Sequence, residues 1–344
     1  MFPQLRNRAW PSAVLGLAVL AVGAAPVMAQ NAAVAALPAA TDTMVALPDG
    51  RRLHLKCGGT GRPTVLLDAG LGLDSSIWVR VLPGLAAITR TCSYDRAGYG
   101  QSDPGPMPRN SVRRADDLLG LLDATVENGP FVLVAHSAAE RTARLVAGRR
   151  HDIIAAMVLV DPGADLEALK TIGPVWAAAY DAGQSAALNC IRATAGGEMR
   201  PGNAIYVECG SPPTVGPLAS REMAAAVLSE NEPDPPAMNE IASTPGSLGD
   251  LPVIVLTAED KFGADEGAAP AETLPMRRVW SEAGATIAAS STLGEQRVVS
   301  GASHVIQFEQ PQAVIDAVSD VVERSRSEQS SRAPVPWGGS ARSF

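Results

Sequence analysis

The sequence predicts an α/β fold built on a mostly parallel eight-stranded sheet with helices on both faces. From Met44 onward, short apolar runs rich in valine, leucine and isoleucine alternate with longer segments of helical periodicity, which is the pattern of βαβ units. Each apolar run has the length of a buried strand. Eight such runs occur, at 45–47, 52–57, 64–67, 91–94, 131–134, 156–160, 252–256 and 296–299.

Breaks in this alternation define the domain organisation. Segments 44–161 and 250–324 are predicted to form one core, since about 300 residues suit a single large α/β domain with an insertion. Segment 162–249 contains helical stretches such as Ser220–Ser229 but no convincing strand, and it is predicted to be an inserted helical lid. The tail, 325–344, is rich in serine, arginine and proline without apolar periodicity and is predicted to be disordered.

The first 29 residues, 1–29, have the composition of a signal peptide. Arg6 and Arg8 supply the positive region, residues 13–25 the short apolar stretch, and Val-Met-Ala at 27–29 the small-x-small cleavage site. The apolar stretch is short for a bilayer span. We therefore expect cleavage, a periplasmic or secreted location and no stable membrane insertion afterwards, with a permanent N-terminal anchor as the alternative.

The charge of the chain argues against nucleic acid as a partner. Cleavage removes two of the 28 basic residues and leaves 26 against 36 acidic residues, a net charge near −10. An acidic surface repels phosphate backbones, and no basic run with interleaved aromatic residues occurs. The expected partner is a small-molecule substrate.

Four cysteines follow the predicted cleavage site, in a compartment that permits disulfides. Cys190 and Cys209 lie nineteen residues apart within one polar segment and are predicted to pair. Cys57 and Cys92 lie in strand-like runs. They either pair across the sheet or remain small buried apolar groups.

Ser137 is the candidate nucleophile. The apolar strand Phe131–Val134 leads into Ala135-His136-Ser137-Ala138-Ala139 and then into a helical stretch, which is the outline of a nucleophile elbow. The residues two before and two after the serine must be small so that the chain can turn sharply, and both are alanine. The alternative is that Ser137 only caps the following helix.

His304 is the candidate general base, because a serine hydroxyl needs a base to become nucleophilic at neutral pH. It follows the last predicted strand and precedes an amphipathic helix. The other histidines fit less well. His54 lies on an early strand, His151 lies at a helix end, and His136 directly precedes Ser137 and is expected to point away from it.

Two carboxylates compete to orient the imidazole. Asp161 ends the strand that follows the Ser137 strand, and Asp260 follows the next strand. Either strand end brings a carboxylate to the same edge of a parallel sheet. Asp260 fits the common chain order but precedes His304 by 44 residues, so we favour Asp161, with Glu259 as a remote third candidate.

Acyl transfer also requires stabilisation of an oxyanion, worth roughly 3–4 kcal/mol per donor. The loop 68–72 follows the Thr64–Leu67 strand, and the backbone amide of Leu71 is predicted to be one donor. The amide of Ala138, at a helix N-terminus, is predicted to be the second. We place Gly70 of this loop and Trp176 of the lid in the predicted substrate-binding region, and no metal ligands are predicted.

Several strings, in this order, resemble those of the α/β-hydrolase superfamily. They are Ala-Gly-Leu-Gly at 69–72, Tyr-Asp-Arg-Ala-Gly-Tyr-Gly-Gln-Ser-Asp at 94–103, Ala-His-Ser-Ala-Ala at 135–139, and Ser-His at 303–304 with Gln-Pro at 310–311. The Asp-Arg-Ala-Gly-Tyr-Gly-x-Ser string is the most specific. The resemblance implies the α/β-hydrolase fold and hydrolysis of an ester, lactone or amide through an acyl-enzyme, without metal or cofactor.

The sequence departs from this superfamily at the elbow. Gly-x-Ser-x-Gly is replaced by Ala-x-Ser-x-Ala, and Glu140 stands where glycine is common. A carboxylate there would crowd the oxyanion or bind a cationic group of a substrate. The alternative function is therefore a catalytically silent small-molecule binding protein of the same fold.

Overall fold

The computed structural model describes residues 37–125, 127, 129–163, 185, 188–209, 220–243, 248–259 and 270–332. Eight strands form one sheet in the order β1-β2-β4-β3-β5-β6-β7-β8. The strands are β1 (Thr41–Ala46), β2 (Arg52–Gly58), β3 (Thr64–Asp68), β4 (Thr91–Tyr94), β5 (Phe131–His136), β6 (Ile154–Val160), β7 (Val253–Ala258) and β8 (Gly294–Val299). Only the β1–β2 and β2–β4 pairs are antiparallel, so the predicted mostly parallel sheet is confirmed.

Helices cover both faces of the sheet. A short 3₁₀ turn at Ser75–Trp78 precedes the first of them. The helices are α1 (Leu82–Ala86), α2 (Ser111–Ala124), α3 (Ala139–Arg149), α4 (residues 188–196), α5 (Ala204–Cys209), α6 (Arg221–Glu230), α7 (Pro235–Ser243), α8 (Pro270–Ala288), α9 (Ile306–Glu309) and α10 (Pro311–Arg332).

Strand side chains alternate between two cores, as the two-residue period of a strand requires. On β5, Leu133 packs in the core with helices α2 and α3, whereas Val132 and Val134 pack in the core with α1 and α10. Burying a valine or leucine completely stabilises the fold by about 1.5–3 kcal/mol. The central strands therefore form a rigid base for the residues that follow their carboxyl ends.

The described part of the segment predicted as a lid contains helices joined by turns and irregular stretches. Helices α4 to α7 lie within 162–249, and none of its described residues is in a strand. Ser220 caps α6, because its hydroxyl accepts the backbone N–H of Met223 at 3.0 Å. The limits of the lid remain a prediction.

Both cysteine pairs form disulfides. The predicted Cys190–Cys209 bond joins α4 to α5. Cys57 and Cys92 are also bonded, since they lie directly opposite each other on β2 and β4. The pairing alternative for these two residues is therefore the correct one.

The sequence predicts a disordered tail at one end of the chain and a signal peptide at the other, and the structure describes only part of the tail. Residues 325–332 continue helix α10, so the prediction of disorder is wrong for this part of the tail. Ser325 in this part of the helix is buried. The predicted signal peptide, 1–29, lies outside the described residues. Within the described ranges, no helix combines the length and the apolar character needed to span a bilayer.

Candidate active site

Ser137 lies at a sharp turn between β5 and α3. Its φ angle is +52°, in the left-handed region, and its backbone N–H donates to the carbonyl of Val160 at 3.0 Å on the neighbouring strand. Ala135 and Ala139 on either side are completely buried, so larger side chains would not fit. The turn lifts the Ser137 side chain above the carboxyl edge of the sheet.

His304 lies between Ser137 and Asp161 and is hydrogen bonded to both. Its Nε2 is 2.9 Å from Ser137 Oγ, and its Nδ1 is 2.6 Å from Asp161 Oδ2. A carboxylate can only accept, so Nδ1 carries the proton and Nε2 is left to accept the serine hydroxyl. The three side chains form a continuous row of hydrogen bonds.

Asp161 follows the end of β6 and is completely buried. Its φ angle is +43°, and its second oxygen, Oδ1, accepts the backbone N–H of Ala258 at 2.9 Å. Both oxygens of this carboxylate are therefore hydrogen bonded. The structure brings Asp161, among the three acidic candidates, to His304.

Three other residues that the sequence places at the site are not described in contact with His304. Glu259 is exposed, and its backbone N–H donates to Val299 in the sheet. Asp260 and Trp176 lie outside the described residues.

Three groups hold His304 in place. The carboxylate of Glu309 accepts the backbone N–H of Ser303 at 2.6 Å, which fixes the loop before the histidine. His136 Nε2 donates to the backbone carbonyl of His304 at 2.8 Å. Trp280 on α8 meets the His304 ring edge-on, with the ring centroids 5.8 Å apart.

His136, which the sequence predicts to point away from Ser137, packs beside His304 in the structure. Its ring centroid lies 4.8 Å from that of His304. Burial, with a smaller contribution from His304, holds the pKa of His136 well below its usual value. The ring is thus neutral. Because Nε2 donates to a carbonyl, Nδ1 is the unprotonated nitrogen.

The two predicted oxyanion donors are both available. In the part of the chain that the structure describes, the backbone N–H groups of Leu71 and Ala138 have no acceptor. Ala138 is the N-cap residue of α3, where the helix presents free N–H groups. A Cβ atom at Gly70 would lie only 2.6 Å from His136 Nδ1, so this loop packs against the elbow as closely as glycine allows.

Glu140, beside the elbow, is not a free carboxylate. Its side chain is buried, and its oxygens lie 3.6 Å from Arg144 Nη1 and 3.8 Å from Arg141 Nε. Burial raises the pKa of Glu140, and the two arginines partly oppose that effect. The carboxylate is therefore paired within its own helix.

Metal-ligand residues converge at one place within the described ranges, at Cys57, Cys92 and Glu127. The two sulfur atoms are bonded to each other, so they are not available as thiolate ligands.

A group of buried charged side chains beneath the 68–72 loop was not predicted from the sequence. Arg96 carries a weak signal, since it belongs to the Asp-Arg-Ala-Gly-Tyr-Gly string, but its contacts do not follow from the motif. Glu230 and Arg114 carry no local signal at all. Glu230 pairs with both Arg96 and Arg114, and these three residues meet only through the tertiary fold.

Comparison with protein families identifies the fold family. The sequence pattern of the alpha/beta hydrolase family matches residues 65–317, which is most of the chain. The chain belongs to the alpha/beta hydrolase family.

Solved structures of an esterase and of a haloalkane dehalogenase resemble the chain over most of its length. A thermophilic esterase from Thermogutta terrifontis is 20% identical, with a TM-score of 0.58 over 83% of this chain and 99% of that one. A haloalkane dehalogenase DbeA-M1 loop variant from Bradyrhizobium elkanii is 17% identical, with a TM-score of 0.60 over 84% and 99%. At these identities the likeness shows the fold alone.

Curated relatives match over shorter segments. The 2-(acetamidomethylene)succinate hydrolase of Mesorhizobium japonicum is 28% identical over 122 residues, which is 35% of this chain and 43% of that protein. The chain spans less than half the length of the curated relatives it matches, between 15% and 43%.

Proposed function

We propose that this chain is an exported serine hydrolase that cleaves an ester, lactone or amide bond of a small organic substrate through a covalent acyl-enzyme. The observation that carries the proposal is the row of hydrogen bonds from Ser137 Oγ through His304 to the buried Asp161. A serine hydroxyl next to an oriented imidazole is the arrangement that activates this nucleophile. The free amides of Leu71 and Ala138 support the same chemistry.

Acylation begins with the proton of the Ser137 hydroxyl. His304 Nε2 takes this proton as Oγ attacks the carbonyl carbon, and Asp161 stabilises the imidazolium that forms. The carbonyl oxygen becomes an oxyanion, which accepts hydrogen bonds from the Leu71 and Ala138 amides. The tetrahedral intermediate then collapses, and Nε2 gives its proton to the leaving oxygen or nitrogen.

Deacylation repeats these steps with water as the nucleophile. His304 Nε2 removes a proton from the water, which attacks the acyl carbon bound to Ser137. The same two amides stabilise the second oxyanion. Collapse returns the proton to Ser137 Oγ and releases a carboxylic acid.

Export is part of the proposal. The Cys57–Cys92 and Cys190–Cys209 disulfides support an oxidising compartment, such as the periplasm or the exterior of the cell. N-terminal sequencing of the protein recovered from that compartment tests this part. We expect the mature chain to begin at Gln30, after the Val-Met-Ala site. A chain that retains residues 1–29 contradicts cleavage.

A fluorophosphonate probe tests the mechanism, because it reacts with serines that an adjacent base has activated. We expect the wild-type protein to be labelled on Ser137, as identified by mass spectrometry of the modified peptide. Ser137→Ala should abolish labelling and His304→Ala should reduce it strongly. Ser243→Ala, at an exposed serine on α7, is the matched control and should be labelled like the wild type.

A folded wild-type protein that remains unlabelled contradicts the proposal and favours a silent binding protein of the same fold. Labelling of another serine contradicts the assignment of the nucleophile. Once labelling is established, a library of p-nitrophenyl esters, lactones and aminoacyl amides identifies the class of bond that is cleaved.

A further inference from the structure

Four buried charged side chains lie beneath the loop that carries Leu71, and the proposed reaction uses none of them directly. They are Asp68, Arg96, Arg114 and Glu230, each at most 8% exposed. Arg96 follows β4, Arg114 lies on α2, and Glu230 is the last residue of α6. Buried charges are costly unless they are paired, so their arrangement is closely constrained.

Arg96 binds the backbone of the oxyanion loop. Its Nη1 donates to the carbonyl of Ala69, and its Nη2 donates to the carbonyl of Gly70 at 2.8 Å. The Gly70 carbonyl and the Leu71 N–H belong to one planar trans peptide unit and point in opposite directions. The same carbonyl also accepts the backbone N–H of Leu73 at 3.1 Å, and Arg96 and this bond together fix the direction of the Leu71 N–H. The positive charge of Arg96 also polarises the peptide unit, which strengthens the N–H as a donor.

Glu230 holds Arg96 in this position from the other side. Its carboxylate lies 3.5 Å from Arg96 Nε and 3.4 Å from Arg96 Nη2, and it accepts the Tyr99 hydroxyl at 3.0 Å. The Glu230 side chain is completely buried. It is therefore the counter-charge that the α6 helix supplies to Arg96. Asp68, the last residue of β3, supplies a second one, with its Oδ1 at 3.2 Å from Arg96 Nη1.

The same carboxylate also pairs with Arg114, at 3.5 Å from its Nη1. Arg114 Nη2 donates to the Ser111 hydroxyl at 2.8 Å and reaches the backbone carbonyl of Ala138 at 3.4 Å. One carboxylate thus holds two arginines, of which one contacts the Leu71 loop and the other contacts the elbow.

Packing connects the same elements. The Leu71 side chain packs against a cluster that includes Met223, Ala224 and Val227 of α6. Helix α6 and Leu71 therefore share one apolar cluster, in addition to the link through Glu230 and Arg96.

We propose that Glu230 is a positioning residue that aims the Leu71 amide at the oxyanion through Arg96, and that it thereby couples helix α6 of the predicted lid to catalysis. This role rests on the proposed serine-hydrolase function, because an oxyanion forms only if Ser137 attacks a carbonyl. Glu230 itself touches no reacting atom.

The test compares an oxygen ester with its sulfur analogue. In p-nitrophenyl thionoacetate, sulfur replaces the carbonyl oxygen that the Leu71 amide stabilises in p-nitrophenyl acetate, so the ratio of the two kcat values reports the oxyanion contacts. Glu230→Gln keeps an oxygen acceptor but removes the charge. We expect kcat for the ester to fall about tenfold with KM little changed, and the ester-to-thionoester ratio to fall by a similar factor, since losing an oxyanion donor outright costs about 10²–10³.

Glu222→Gln, at an exposed glutamate of the same helix, is the matched control and should keep the wild-type ratio. Glu230→Gln leaves two buried arginines with less counter-charge, so its kinetics are compared with those of the wild type only after circular dichroism shows a native fold. Arg96→Lys provides the second variant. It retains the charge, but a single ammonium cannot span the Gly70 carbonyl and Glu230 as the guanidinium does, so the ratio should fall here too.

The outcomes separate the two proposals. A folded Glu230→Gln or Arg96→Lys protein that keeps the wild-type ratio overturns the role of Glu230 and leaves the hydrolase function standing. A wild-type protein that hydrolyses neither compound and resists the fluorophosphonate probe contradicts the hydrolase function, and the role of Glu230 falls with it.

Discussion

The backbone N–H of Ala258 donates to Oδ1 of Asp161 at 2.9 Å, which leaves Oδ2 of that carboxylate for His304. In Asp161→Asn, the amide oxygen would keep the Ala258 contact and the NH₂ group would face His304 Nδ1. The imidazole would then carry its proton on Nε2, where it cannot accept the Ser137 proton. We expect kcat to fall on the order of 10⁴-fold.

Steady-state kinetics of Asp161→Asn and Asp260→Asn on the same ester measure this difference. Asp260→Asn is expected to retain most of the activity. A large loss of kcat in Asp260→Asn alone would make Asp260 the acid that orients His304. Mild losses of kcat in both variants would show that neither carboxylate is required.

Gly70 is the second position where the structure makes a definite prediction. In Gly70→Ala the new Cβ would lie 2.6 Å from His136 Nδ1 and 3.1 Å from Ser137 Cβ, so the loop or the elbow must shift. Displacements of about 1 Å near reacting atoms cost up to about 10²-fold, and we expect kcat/KM to fall by roughly this factor.

Gly148→Ala is the matched control for Gly70→Ala. Gly148 lies in helix α3, and a Cβ there meets no atom within 4 Å. This variant should keep wild-type kinetics and gain about 0.5–1 kcal/mol in the free energy of unfolding. Equal kinetics in the two variants would show that the close packing at Gly70 does not matter for catalysis.

His54 predicts a dependence of stability on pH. Its Nδ1 lies 2.9 Å from Asp95 and its Nε2 lies 2.6 Å from Asp42. Burial alone would lower the pKa of His54, but the two carboxylates outweigh burial and raise it. The resulting stabilisation is fully present below the unfolded-state pKa of about 6.5 and is lost as pH rises through the folded-state pKa.

Denaturant unfolding between pH 5.5 and 9 measures this effect. The wild-type free energy of unfolding should decline as pH rises, and His54→Gln should be less stable at low pH with a flatter profile. His151→Gln, at an exposed histidine after α3, should follow the wild type. Identical profiles for all three proteins would rule out the contribution of His54.

The sheet could be predicted from the sequence because each central strand is buried on both faces and is therefore continuously apolar, as at Phe131–His136. Ser137 carried a local signal as well, since the small residues on both sides are a steric requirement of the turn. The choice between Asp161 and Asp260 could not be made in this way, because both follow parallel strands that end at the same edge. The contact of Asp161 with His304 depends on the backbone angle and on Ala258, which are tertiary features.

The contacts of Glu230 could not be predicted from the sequence for a different reason. Glu230 and Arg96 are 134 residues apart, and neither the charge of one nor the motif of the other identifies its partner. The Cys57–Cys92 bond likewise required the register of β2 against β4. Periodicity identifies which residues are buried, whereas pairing between distant segments depends on the complete fold.

Ser137 and Asp161 both adopt left-handed backbone angles, at +52° and +43°. For residues other than glycine, this conformation costs roughly 1–2 kcal/mol each. Glycine would relax both turns but would delete the hydroxyl and the carboxylate. Exchanging these two residues for glycine would therefore relieve the backbone strain, but it would also remove the hydrogen bonds of the Asp161 carboxylate to Ala258 and His304. Keeping serine and aspartate at these two strand ends therefore means keeping two strained turns in the backbone.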